Sequence, residues 1–73
     1  MNTLNNNAAY ILCGRKEKRG NGFIQTFEAF ENESTGEYGI ERAMYVNGKV
    51  VDFSQSLNLS KEQAANLWNM YIN

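Results

Sequence analysis

A chain of 73 residues with a formal charge of −1, 42% hydrophobic and 21% charged residues has the composition of one globular domain. No run approaches the roughly 20 apolar residues that a bilayer crossing needs. A chain of this length buries only about 60% of the surface its unfolded form exposes, so deep substrate cavities are not expected.

Cys13 is the only cysteine and histidine is absent, which removes intramolecular disulfides, Cys/His zinc sites and the Ser-His and Cys-His nucleophile pairs. The eight acids sit in polar contexts at no spacing that marks a general acid/base pair. The expectation is a protein that is not an enzyme, with no catalytic residues, metal or cofactor. The first seven residues lack the basic and apolar regions of a leader, and a lone thiol fits a reducing compartment. A cytoplasmic location without membrane contact is therefore expected.

Residues 1 to 7 are polar, rich in asparagine and without period, and read as a flexible arm ahead of a single domain over 8 to 73. The run Ala9-Tyr10-Ile11-Leu12-Cys13 is β-prone and too short for a helix. Arg19-Gly20-Asn21-Gly22 supplies turn residues that tolerate positive φ. Phe23 to Glu31 fits a strand or a helical stripe, and the preceding turn favours the strand.

A two-residue turn at Gly20-Asn21 sets Gly14 opposite Phe27, Leu12 opposite Ala29 and Ile11 opposite Phe30. Phe27 would then cover the gap at Gly14. That register gives one face Leu12, Phe23, Phe27 and Ala29, and the other Ile11, Cys13, Ile24 and Phe30.

Asn32 to Gly36 reads as a loop. Asn47-Gly48 between two β-rich runs is the preferred pair for a type I′ turn. It places Val46 opposite Lys49, Tyr45 opposite Val50, Met44 opposite Val51 and Arg42 opposite Phe53. Ile40, Met44, Val46, Val51 and Phe53 then share one face, and Glu41, Ala43, Tyr45, Val50 and Asp52 the other.

Ser60 to Ile72 reads as a helix, with Ser60 and Gln63 forming a capping box and Leu59 placed to staple on Ala64. Ala64, Leu67, Trp68 and Tyr71 make an apolar stripe that must dock on the sheet, because a helix of this length is marginal alone. The predicted fold is α+β: a small antiparallel sheet of about four strands in two hairpins, β-β-β-β-α, with one C-terminal helix on one face.

One short helix covers one face only. The other, carrying Ile11, Cys13, Ile24 and Phe30, is the expected protein interface. The leading expectation is a small protein-binding module that regulates or inhibits a larger protein and acts as a homodimer. Its eleven asparagines and short length suit a phage or mobile element.

The second reading is nucleic-acid or nucleotide binding through Arg15, Lys16, Lys18 and Arg19, four of the seven positive charges. The acidic isoelectric point weighs against it. Glu28, Glu31, Glu33, Glu37 and Glu41 form an opposing acidic segment, which predicts an electrically two-ended molecule. Cys13 is expected as a small buried hydrophobe.

Overall fold

The computed structural model describes Leu4 and residues 7–73. Four strands run β1 Tyr10–Gly20, β2 Phe23–Asn32, β3 Tyr38–Val46 and β4 Lys49–Leu59, followed by the helix α1 Lys61–Ile72. Each strand pairs antiparallel with its chain neighbour, giving a sheet in the order β1-β2-β3-β4. The helix packs on one side of it, chiefly against β2, β3 and β4. This is the α+β architecture expected from the sequence. Residues 23–31 are a strand, because the turn delivers them into pairing with neighbours on both sides, which outweighs their helical stripe.

The expected registers need correction at both hairpins. The first turn is Asn21-Gly22, with Gly20 opposite Phe23, and only Gly22 takes a positive φ, of 85°. Placing the more permissive glycine at the second central position moves the turn one residue along. A bulge between Leu12 and Gly14 shifts the pairing again. Gly14 therefore faces Ala29, Leu12 faces Phe30 and Ile11 faces Glu31. Residues opposite one another share a face, so Ile11 lies on the side opposite Leu12, Ile24 and Phe30, and the four-residue interface expected from the sequence is split.

The second turn is as expected, with Asn47 at φ 53° and Gly48 at φ 78°, the pair of positive values a type I′ turn requires. Val46 faces Lys49 and Tyr45 faces Val50 as predicted, but a register shift at Val51 then puts Asp52 opposite Met44 and Phe53 opposite Ala43. One extra residue sends Phe53 to the face of Tyr45, and Asp52 and Ser54 to the face of Met44 and Arg42.

The helix begins as predicted. The Ser60 hydroxyl accepts from the Gln63 N–H at 3.1 Å, and the Gln63 side chain accepts from the Ser60 N–H at 2.9 Å. Ala64 is buried, and the Trp68 ring lies over Gly14, 3.6 Å from where a Cβ there would stand. Trp68, not Phe27, thus covers Gly14 at contact distance, while the ring of Phe23 crosses Gly20 more closely and occupies the place a Cβ there would take.

Tyr71 packs on Phe27 with ring centroids 5.8 Å apart. The Arg42 guanidinium stands 5.0 Å from the Tyr71 centroid. Lys18 Nζ donates to the Tyr71 carbonyl at 2.9 Å while lying 5.4 Å from the Phe27 centroid. No basic residue occupies the last turn of the helix, so β1 supplies the cation that its exposed carbonyls favour.

The opposite side of the sheet has a core of its own at one end. Phe30 and Ile40, on opposite sides of the sheet, are each 1% exposed. Leu4 is buried over Gly39, the cross-strand partner of Phe30. The Leu4 N–H donates at 3.0 Å to Glu41, whose same oxygen accepts from Gln55 Nε2 at 2.7 Å. Glu41 is thus a buried carboxylate with two donors, the condition under which burying a charge is tolerable. Of the arm expected over residues 1 to 7, only Leu4 and Asn7 are described, and the rest lies outside the described residues.

Candidate functional site

Alternation along the strands decides what each side of the sheet can do. Arg15, Glu17 and Arg19 face Glu28, Thr26 and Ile24 across the first hairpin, on the side away from the helix. Lys16 and Lys18 face Phe27 and Gln25, on the helix side. A sequence period of two therefore divides the basic run between two surfaces, and the four charges do not converge.

The split halves are also partly neutralised. Arg15 approaches Glu17 at 3.4 Å and Glu28 at 3.6 Å, and Arg19 approaches Glu17 at 3.4 Å. Lys18 is committed to the helix terminus. Antiparallel pairing lays Glu28 beside Arg15 and Glu41 is buried in the sheet, whereas Glu31, Glu33 and Glu37 lie at the end of β2 and in the loop after it, away from the turn that follows Arg19, so the two-ended charge distribution expected from the sequence forms in part.

What the open side does present is a groove of about 640 Å³ near the two hairpin turns, floored by Ile24, Thr26 and Tyr45 and rimmed by Arg15, Glu17, Arg19 and Phe23. Leu4 covers the other end of this face, so the groove begins where that cover stops. Its chemistry is mixed: an aliphatic and two aromatic side chains, the hydroxyls of Thr26 and Tyr45, and charges of both signs held by their own ion pairs. Such a lining can bury an apolar side chain and order its polar neighbours.

The four interface residues expected from the sequence end in four settings. Ile24 lines the groove. Phe30 is buried and offers no surface. Ile11 is 47% exposed on the helix side. Cys13 occupies the bulge of β1 and is exposed rather than buried, because the extra residue there has no cross-strand partner.

Its thiol is raised above the ordinary cysteine value, first by the partial desolvation of the sulfur and then by the negative charge of Glu31. That opposes nucleophilic use. A second hollow of about 260 Å³ lies where the helix lifts off β1, lined by Gly14, Ala29, Ala64, Ala65 and Trp68 with Cys13 at its edge.

Sequence reasoning placed Tyr45 away from the core but missed Thr26 and the groove as a unit. The signal was present in the alternation of Ile24, Thr26 and Glu28, which share one face of β2 with Tyr45 and Ala43 of β3 opposite. Among the described residues no three of Cys, Asp or Glu are gathered as cation ligands. Comparison with known protein families, curated proteins and solved structures finds no match, and the site is read from its own geometry.

Proposed function

We propose that the protein is a small recognition module without chemistry of its own that holds a protein partner on the open face of its sheet, as a regulator or inhibitor of that partner. The observation that carries the reading is the groove over Ile24, Thr26 and Tyr45 on the face the helix leaves uncovered. The chain is a slab of 38 × 26 × 15 Å. Its broad side suits the roughly 800 Å² per partner of a standard protein interface. Arg15 and Arg19, pre-oriented by Glu17, would order polar contacts at the rim.

The test uses immobilised wild-type protein and an Ile24→Glu variant in quantitative capture from the native host, followed by titration of the captured protein. A partner retained by wild type and weakened by at least about tenfold in the variant supports the reading, since a charge would be buried in an apolar contact. Equal retention by both refutes it. Salt-sensitive binding of single-stranded oligonucleotides that is lost on charge reversal of Arg15 and Arg19 would replace it with nucleic-acid recognition.

A further inference from the structure

The two edges of the sheet are unlike. Among the described residues β1 is an edge strand, and it runs through Arg15-Lys16-Glu17-Lys18-Arg19, a charge run of the kind that keeps an edge from pairing. Between Val50 and Leu59 the strand β4, the last of the sheet among the described residues, carries one charge, Asp52, while Val51 is 57% exposed and Leu57 is 40% exposed.

Two register shifts bracket the regular part of β4. One leaves Val51 without a partner, and the other lies between the pairs at Ser56 and Leu59, where Asn58 takes φ 58°. From Asp52 to Ser56 the ladder with β3 is continuous. Ser54 is the centre of that segment, and Val51 and Leu57 stand three residues to either side of it.

We propose that β4 pairs antiparallel with β4 of a second copy of this chain about a two-fold axis at Ser54, joining two sheets into one of eight strands. In that register Val51 faces Leu57 of the second copy, and the symmetry repeats the pair, so each exposed apolar side chain of the edge covers the other. Phe53 faces Gln55 and Asp52 faces Ser56, whose hydroxyl can donate to the carboxylate. No like charges meet. A one-residue slip would carry the open face of one copy against the helix side of the other.

The pairing does not depend on what the open face binds. Sedimentation and light scattering from low to high micromolar concentration should show wild type approaching twice the chain mass of 8.3 kDa. A V51K/L57K double variant should associate more weakly by on the order of a hundredfold, because two apolar pairs become two like-charge pairs. A V51E/L57E variant should likewise be a monomer alone, and mixing the two should restore a species of two chains. Both variants change exposed side chains, and circular dichroism checks their fold.

Wild type remaining at the single-chain mass overturns the proposal. So does a lysine variant as dimeric as wild type, or a charge-swapped mixture that fails to pair. Ile24→Glu should leave the dimer intact, which separates this result from failure of the recognition reading.

Discussion

Lys18 offers a sharp test of how the helix is held. Its ammonium donates to the Tyr71 carbonyl at 2.9 Å and sits 5.4 Å from the Phe27 ring. Lys18→Met keeps the aliphatic stem and removes the charge. A half-buried hydrogen bond from a charged donor is worth about 1.5 kcal/mol or more. A cation near a helix C-terminus contributes about 0.3–1 kcal/mol and a cation over a ring about 0.5 kcal/mol.

These gains share one ammonium and overlap, so the expected loss is about 1–2 kcal/mol, a large part of the few kcal/mol available to a domain this small. At about 4–8 °C per kcal/mol the melting temperature should fall by roughly 5–15 °C. Urea unfolding should show a lower midpoint at unchanged slope. Lys16→Met, two residues away on the same face and exposed, should cost less than about 0.5 kcal/mol. High salt should narrow the gap between wild type and Lys18→Met, because the interaction with the helix end is screened. Equal effects of the two substitutions would refute the idea that this lysine anchors the helix.

Three further outcomes follow from the packing. At Gly14 an added Cβ would sit 3.6 Å from Trp68 and 3.7 Å from Ala29, ordinary contact distances. Gly14→Ala should therefore stabilise by about 0.5 kcal/mol through lost unfolded-state entropy, whereas Gly14→Val should push the indole outward and red-shift its emission. At Gly39 an added Cβ would approach Leu4 to 2.6 Å and Leu57 to 3.2 Å. Gly39→Ala should cost about 1–2 kcal/mol and much less in a Leu4→Ala background, a non-additivity that a double-mutant cycle in urea would measure.

The Cys13 thiol is raised by desolvation and by Glu31. The thiolate thus forms at higher pH than in an unhindered cysteine, and alkylation at pH 8 should be slower in the folded than in the urea-unfolded chain. Glu31→Gln should lower the midpoint of the alkylation profile part of the way, and an unchanged midpoint would contradict the electrostatic contribution.

How much of this was legible in the sequence depends on the range of the interaction responsible. The Asn47-Gly48 turn and the Ser60-Gln63 capping box are set by neighbouring residues, and both form as read. Element order and type followed from pattern and turn chemistry. The bulges at Cys13 and Val51 did not, because an unpaired residue arises from the fit between two strands and has no local signature. Each bulge exchanges the faces of everything beyond it. Without them the period of two sets Phe53 on the helix side with Arg42 and groups Ile11 with Phe30.

The basic run shows the converse case. Its division between two sides is implicit in a strand over these residues, since 15 and 19 alternate with 16 and 18. Burial of Leu4 depends on a contact 37 residues away, with Glu41, and no neighbouring residue announces it.

The strand order has a kinetic corollary. In a meander every sheet contact joins chain neighbours, so short loops close and little chain entropy is spent in bringing partners together. The hydrogen bond from Lys18 to Tyr71, by contrast, spans 53 positions. Hairpins can form successively while the last helix is still unattached, and the clasp between the first strand and the final turn then closes the sequence of events. A protein assembled in that order should fold quickly, with docking of its terminal segment as the step that completes cooperativity.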